Sequence, residues 1–467
     1  MTKLQEKINT FFEDLKSKKV GVIGLGVSHN DLIAMMCKKG IHITLLDKRE
    51  KDAIGAQYDE LERMGIHFCL GDNYLSSLTD YDVVFRAPGV YFLKEELTNA
   101  RENGVVITSE MEVFLDLCPC KVYALTGSDG KTTTSTLISE MLKESGKTVH
   151  LGGNIGRALL PIIEDIKPDD VCVIELSSFQ LISMRKSPDV AVITNIAPNH
   201  LDVHKDMNEY IESKMNLIIH QNAFSKTVLN FDNAPCYELK KYVRGNLACF
   251  SRIGKPKRGT YLDNDGNLCR VHDEKTRILF NKEEIKIPGI HNVENYLAAI
   301  AAVGDEVADE VILKVAREFG GVEHRIEYVK TVDGVRYYND SIASSPTRTI
   351  AGLNAFDQKL IIIAGGYDKK IPYEPLGPVL TKRAKLLILI GATAPKIEAA
   401  VRACDDFEQS GLKIINVKTL EEAVQTAREN ATSGDVVSLS PASASFDLYR
   451  NFEERGKHFK RIVNELV

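Results

Sequence analysis

The stretch LTGSDGKTTT, residues 125–134, decides how the chain is read. It follows an apolar run at 122–125 that reads as a buried strand, and it opens a helix-like segment over 132–144. Strand end, glycine turn and helix start together present unpaired backbone N–H groups and the positive end of a helix dipole. Such a junction binds anions. Gly127 and Gly130 let the backbone close around phosphate oxygens with no Cβ in the way, Ser128 and Asp129 complete the turn, and Lys131 supplies a point charge. The hydroxyl of Thr132 or Thr133 can ligate a magnesium ion. The predicted ligand is a nucleoside triphosphate.

In the common spacing G-x-x-x-x-G-K-[ST] the first glycine would stand where this chain has Leu125, so the loop is a shortened variant. A glycine turn before a helix is often only structural. Here Gly-Lys-Thr-Thr follows a predicted strand, and ATP use is the reading the residues favour.

With 467 residues the chain is too long for one ordinary core, and at about 150 residues per domain it predicts roughly three. Its 44% hydrophobic and 27% charged residues fit a soluble globular protein, and a formal charge of −6 does not recommend nucleic acid as a partner. Small molecules are the expected partners, and the chain is expected to work as a monomer. No stretch approaches the ~18 apolar residues that span a bilayer. The opening segment MTKLQEKINTFFEDLKSKK interrupts its apolar positions with charges, unlike a secretory signal. The nine cysteines are an odd number, and only Cys118 and Cys120, split by Pro119, lie close together. That is neither a disulfide framework nor a zinc-ligand spacing, so a reducing cytoplasm is the expected location and no cysteine is assigned a role.

Toward the N-terminus, residues 3–16 read as an amphipathic helix, 19–24 as a strand ending in Gly-Leu-Gly, 28–39 as a helix and 41–46 as a strand ending at Asp47. An acidic residue about 20 positions beyond the glycines resembles the dinucleotide fingerprint, but His29 stands where its third glycine belongs. Two readings compete: a nicotinamide cofactor, or a nucleotide with its phosphates at 26–28 and its sugar or base at Asp47. The second fits better, because the missing glycine normally permits close helix–strand packing. Strands at 82–86 and 105–108 complete an α/β domain to about residue 109.

Toward the C-terminus come GGNIG at 152–156, then a strand at 171–174 running into ELSSFQL at 175–181. A carboxylate at the C-terminal end of a parallel strand suits magnesium, which makes Glu175 the candidate. In NIAPNHLDVH, 195–204, His200, Asp202 and His204 read either as a transition-metal cluster or as one magnesium ligand with solvated neighbours. The second is favoured, since no further ligands stand out. A helical stretch at 207–220 carries Lys214, on sequence alone an ordinary exposed lysine. Residues 226–287 read as short strands and turns. In IPGIHNVENYLAAIAAV, 287–303, a helix is expected to open just after His291 and Asn292, whose neighbourhood could reach adenine or phosphate, or cap the helix. Beyond Gly320, a hairpin closed at Asp333 and Gly334 and strands at 360–364, 386–390, 413–417 and 436–439 predict another α/β domain. It carries GGYDKK and SPASASFDLYRNFEERG where such domains place ligand-binding loops.

Taken in order, GLGVS, TGSDGKTTT, GGNIG, ELSSFQL, NH-x-D, HNVEN, HR, NDS, GGYDK and SPASAS…NFEERG resemble the Mur ligases over essentially the whole chain. The last of these is similar to the D-glutamate-adding members. Neither the DNPR of members that add a third-position diamino acid nor the histidine pair before a proline of the L-alanine-adding ones is present.

The resemblance implies an α/β fold in three domains: a Rossmann-like UDP-binding domain at 1–109, a central P-loop ATPase-type domain at 110–321 and a C-terminal Rossmann-like domain for the amino acid at 322–467. It implies an ATP-dependent carboxylate–amine ligase of cytoplasmic peptidoglycan precursor synthesis. In that reaction the terminal carboxylate of UDP-N-acetylmuramoyl-L-alanine is phosphorylated, and D-glutamate attacks the acyl phosphate through a tetrahedral intermediate. By the same resemblance Lys131 binds the β and γ phosphates, Thr132 and Glu175 hold a first magnesium, and His200 helps hold a second. Lys214 matches a lysine that the family carbamylates to make a metal ligand, and Asn154 meets the muramoyl substrate or the transferring phosphate. Asn295, Arg325 and Asp340 are implied for ATP, Val27, Ser28, Asp47 and Lys48 for the uridine diphosphate part, and Lys369, Ser445 and Phe452 for D-glutamate. Where several relatives carry a lysine after Asp-Ser, this chain has Ile342, with Lys370 a candidate to supply the charge. Two other readings stay open: a sister ligase with another acceptor, and a nucleotide-dependent binding protein.

Overall fold

The computed structural model describes residues 3–201, 203–369 and 371–466; the side chains of Lys3, Leu4, Val27 and Ser28 are outside that description. The expectations placed on Asp202, on Lys370 and on the side chains of Val27 and Ser28 therefore lie outside the described residues. Short apolar runs such as VGVI at Val20–Ile23 and LIIIAG at Leu360–Gly365 are buried along their whole length, as strands covered on both faces must be. They assemble into three sheets.

The chain folds as two compact units, 1–282 with 293–315, and 283–292 with 316–467. The first unit holds a five-stranded parallel sheet in the order His67–Leu70, Ile43–Asp47, Val20–Ile23, Val83–Arg86, Val106–Thr108. Its second sheet has nine strands. There Lys121–Thr126 lies between Val171–Glu175 and Val190–Ile193, all parallel, and Val149–Gly153 forms the edge beyond Val171–Glu175. The chain thus leaves Lys121–Thr126 to one side and later returns on the other, and the loop at 127–130 opens at that reversal. Open α/β sheets bind ligands at such a place. The second unit holds a six-stranded sheet, parallel except for the hairpin Glu327–Val332 and Val335–Asn339. Asp333 and Gly334 close that hairpin with φ of 52° and 77°, as a tight two-residue turn requires.

Helices form where the apolar period is helical. In Lys3–Lys16, Ile8, Phe12 and Leu15 are buried on one stripe while the charged positions from Glu6 onward face water. They join an apolar cluster that continues through Phe114, Leu159 and Ile174, so both sheets of the first unit share one core. Two helix limits differ from the sequence reading. The helix Ile290–Val303 begins before His291 and Asn292, because Gly289 turns at φ 97° and the Asn292 amide donates back to the Pro288 carbonyl at 2.6 Å. The helix Met207–Met215 stops short of residue 220, where the Asn216 side chain turns away to donate to the Leu181 carbonyl at 2.9 Å.

One buried carboxyl ties the helix Glu110–Leu117 to its neighbours. A single Glu110 oxygen accepts the N–H groups of Leu159 and Leu160 at 3.1 and 2.9 Å. Burial outweighs these two bonds and lifts the carboxyl from 4.5 to about 7. The folded chain holds this proton to a higher pH than the unfolded chain does, so stability falls as pH rises from about 4.5 to 7. Glu110→Gln keeps an acceptor oxygen but removes the titration. Its stability relative to the parent is expected to rise across that window by on the order of 1–3 kcal/mol, measured as urea midpoints. A difference that stays constant with pH contradicts this account.

Candidate active site

The strand Lys121–Thr126 ends at the glycine loop, and the helix Lys131–Glu144 begins one residue after it closes. Gly130 caps that helix at φ 79°, a left-handed conformation that a side chain resists. A Cβ on Gly127 would stand 1.8 Å from Thr194 Oγ1, and one on Gly130 would stand 2.5 Å from Asn295 Oδ1. Both glycines are therefore required by close neighbours as well as by conformation. The loop itself is held from the next strand: Asn195 Oδ1 accepts the N–H groups of Ser128 and Asp129 at 3.1 and 2.9 Å, and Thr194 Oγ1 donates to the Asp129 carbonyl at 2.6 Å. Ser128 Oγ donates to the Ala197 carbonyl at 2.9 Å.

Two ammonium groups converge on this loop. Lys131 Nζ donates to the carbonyls of Gly127 and Ser128 at 2.9 and 3.1 Å. Lys214 Nζ donates to the same Gly127 carbonyl at 3.0 Å and to Thr126 Oγ1 at 3.2 Å, over the Tyr210 ring. Lys214 is only 1% exposed, which corrects the expectation of an ordinary surface lysine. Burial, aided by the Lys131 charge, lowers its pKa from 10.5 to about 7. The helix Met207–Met215 delivers it, and no local sequence pattern announces that.

Across the loop, Glu175 ends its strand almost fully buried. Its two oxygens accept from Thr132 Oγ1 at 2.8 Å and from Asn154 Nδ2 at 2.9 Å. Thr132, rather than the buried Thr133, thus shares a place with the carboxylate. Asn295 is buried beside the loop, its Oδ1 accepting from Thr134 Oγ1 at 3.2 Å.

The histidine pair divides. His204 is buried and both ring nitrogens are engaged, Nδ1 with Glu209 and Nε2 with Ser178 Oγ, each at 2.9 Å. It is a packing residue, stacked on Phe179, and has no nitrogen left for a metal. His200 is exposed, with φ 57° and its ring 5.0 Å from Phe179. The two do not form one metal cluster.

In the first sheet, Asp47 locks the Gly-Leu-Gly turn instead of standing open. Its oxygens accept Leu25 N–H at 2.8 Å, Arg49 N–H at 2.9 Å and the Arg49 guanidinium at 2.8 and 3.0 Å. Burial pushes its pKa up, but the Arg49 guanidinium and these N–H groups hold it below the ordinary carboxylate value. Sequence reasoning missed Arg49. Lys48 is exposed, and His29, in the place of the third glycine, is buried with Nδ1 2.8 Å from the Gly24 carbonyl.

In the second unit, Asp340 follows the strand Val335–Asn339 and is buried. Ser440 Oγ donates to it at 3.0 Å and Ile326 N–H at 3.3 Å, yet burial raises it to about 7. Arg325 lies in the tight turn between His324 and Ile326, both at positive φ, and its charge partly offsets that rise. Lys369 is exposed, its ammonium 5.8 Å over the Phe446 ring. Ser445 is buried, and its carbonyl accepts Tyr449 N–H at 2.8 Å. Phe452 begins the last helix, edge-on to His324 at 6.0 Å. The residue that binds these pieces together is Arg455, which the motif NFEERG contained but sequence reasoning did not single out. Its buried guanidinium donates to the carbonyls of Ser341, Ser443 and Ala444 at 2.9, 3.1 and 3.1 Å, and to Ser341 Oγ at 3.0 Å.

Residues 18–109 match the MurD-like N-terminal domain of Mur ligases, 125–303 the Mur ligase middle domain, and 324–443 the Mur ligase glutamate ligase domain. The chain is 52% identical to the UDP-N-acetylmuramoylalanine–D-glutamate ligase of Acetivibrio thermocellus and 47% identical to that of Ruminiclostridium cellulolyticum, in each case over 99% of this chain and 100% of the relative. Among solved structures it resembles the UDP-N-acetylmuramate–alanine ligase of Thermotoga maritima, with a TM-score of 0.56 at 18% identity over 96% of this chain and 99% of that one. MurF of Acinetobacter baumannii gives 0.57 at 15% identity, over 95% and 90%. At these identities the two structures support the fold alone. From the domain matches and the full-length relatives, the chain belongs to the Mur ligase family.

Proposed function

We propose that this chain is an ATP-dependent ligase that joins D-glutamate to UDP-N-acetylmuramoyl-L-alanine in peptidoglycan precursor synthesis. The observation that carries this reading is the full-length identity to two D-glutamate ligases. The chemistry explains why such a site is needed. A carboxylate and an amine at neutral pH form a salt, so the acid must first be activated, and phosphoryl transfer between two anions needs concentrated positive charge.

The loop at 127–130 and the first turn of Lys131–Glu144 cradle the triphosphate, and Lys131 leaves its own loop carbonyls for the β and γ phosphates. The hydroxyl of Thr132 and the carboxylate of Glu175 are hard oxygen donors 2.8 Å apart, a set that fits magnesium, with His200 assigned to a second ion. Bound magnesium would neutralise charge on the phosphates during transfer. Asn154, on the other Glu175 oxygen, faces the muramoyl substrate or the moving phosphate. Asn295, Arg325 and Asp340 serve ATP, Val27, Ser28, Asp47 and Lys48 the uridine diphosphate part, and Lys369, Ser445 and Phe452 D-glutamate. Lys369 is the assigned cation for the glutamate side chain, and Lys370 is the candidate for the charge that Ile342 does not supply. The domains run 1–109, 110–321 and 322–467, and the protein acts as a cytoplasmic monomer. Among the described residues no helix is long and apolar enough to cross a membrane.

Lys214 is carbamylated in this reading. The neutral Nζ lone pair attacks the carbon of CO2 and a proton leaves to water, turning a cation into a metal-binding anion. With its pKa at about 7, roughly half of Lys214 is neutral at pH 7, against about one in several thousand ordinary lysines. Carbamylation also removes the clash between two cations on one carbonyl.

Phosphate release is expected only when UDP-N-acetylmuramoyl-L-alanine, D-glutamate, ATP and magnesium are all present. Preference for L-lysine would overturn the acceptor, and hydrolysis indifferent to both partners would overturn the ligase reading. Protein stripped of CO2 should lose activity and recover it with bicarbonate, while Lys214→Ala should fall on the order of 100-fold with no recovery; full activity of that variant contradicts the assignment. Asn195→Ala frees the Asp129 N–H, while Ser128 N–H keeps the backbone carbonyl of residue 195 at 3.0 Å, and should weaken ATP binding about tenfold by calorimetry. Unchanged affinity would mean that Asn195 does not shape the loop.

A further inference from the structure

The sequence places Cys118 and Cys120 together but leaves Cys172 more than fifty residues away. The fold brings all three to one point. Cys118 follows the helix Glu110–Leu117, Cys120 precedes the strand Lys121–Thr126, and Cys172 lies on the adjacent strand Val171–Glu175 opposite Val122. Their sulfur atoms are 3.5, 3.7 and 3.8 Å apart in pairs, and all three are free thiols. Among the described residues, no other set of three or more His, Cys, Asp or Glu ligand atoms is gathered so closely.

Sulfur atoms around a tetrahedral zinc ion, with bonds of about 2.3 Å, stand about 3.8 Å apart. The observed triangle therefore has the edges of one face of such a tetrahedron before any ion is placed in it. Cys120 and Cys172 are buried, while Cys118 is half-buried and gives the cluster a way out to solvent. His150 stands opposite Cys172 on the next strand, but its Nε2 is held by Asp170 at 2.9 Å, its Nδ1 faces the Arg157 guanidinium at 3.4 Å, and it is not among the clustered ligand atoms. The fourth corner is thus left to water.

We propose that Cys118, Cys120 and Cys172 form a binding site for a thiophilic divalent metal ion of the zinc class, completed by a water molecule. On binding, the three thiols release three protons and each sulfur donates a lone pair, with no change of oxidation state. Three thiolates and a divalent ion leave one net negative charge, whereas a monovalent ion would leave two in a mostly buried place. The site is separate from the phosphate loop. Cys172 is three residues before Glu175 along one strand, about 10 Å away. The ion would pin the starts of the two strands whose far ends carry the loop and Glu175, so its expected effect is on stability.

The test uses the full chain, reduced and treated with chelator, then titrated with Co2+ as a spectroscopic probe. One Co2+ per chain should give tetrahedral visible bands and a thiolate charge-transfer absorption, both displaced by Zn2+, with a raised thermal midpoint. Cys118→Ser, at the half-buried corner, should lower affinity at least 100-fold and abolish the charge-transfer band, and Cys172→Ala should do the same if it folds. Cys404→Ser, in the other unit, should bind as the parent does. An octahedral cobalt spectrum with no thiolate charge-transfer band, bands that survive Cys118→Ser, or equal loss in Cys404→Ser would overturn the proposal.

Discussion

Two ammonium groups share one carbonyl oxygen. Lys131 and Lys214 both donate to Gly127, one from the start of the helix beyond the loop and the other from the helix Met207–Met215. Burial first, and the neighbouring Lys131 charge second, depress the pKa of Lys214. In the proposed function the arrangement serves an anion. With phosphate in the loop the two cations gain a partner, and with Lys214 carbamylated, as proposed, one of them changes sign.

The rest of the first unit holds that place rigid. The three strands around the loop end side by side, so Leu125, Glu175 and Val192 are neighbours across the sheet. From these ends Thr194 and Asn195 fix the loop backbone, while Thr132 and Asn154 fix the Glu175 carboxylate. In the second unit Arg455 does comparable work, fastening the turn at 441–445 to Ser341 through four donated bonds. In both cases polar side chains, with Thr194, Glu175 and Arg455 buried among them, hold a backbone loop in one place.

Much of this was legible in sequence where the cause is local. Gly127 and Gly130 were readable because a phosphate loop needs backbone without Cβ, and the buried strands because parallel sheets demand unbroken apolar runs. Glu175 was readable from its place at a strand end. What was illegible is set by contacts between distant segments. Lys214 looks exposed until the fold carries its helix under the loop, Cys172 joins Cys118 and Cys120 only through strand pairing, and Asn195 acts only across the sheet. Asp47 was found, but its partner Arg49 was not, because a charged residue two positions on gives no sign of whether it turns inward. His204 differs in the opposite direction: as a neighbour of a magnesium ligand it reads as solvated, but it is buried with both ring nitrogens engaged.

The account rests on the loop serving to move phosphate onto a carboxylate. That transfer has an atomic signature: the attacking carboxylate oxygen becomes the bridge of the acyl phosphate and leaves with phosphate when the amine displaces it. The direct measurement is mass spectrometry of the phosphate released from UDP-N-acetylmuramoyl-L-alanine labelled with 18O in its terminal carboxylate. One 18O atom per phosphate is predicted. Phosphate carrying no 18O would show that ATP is merely hydrolysed, and would contradict the account.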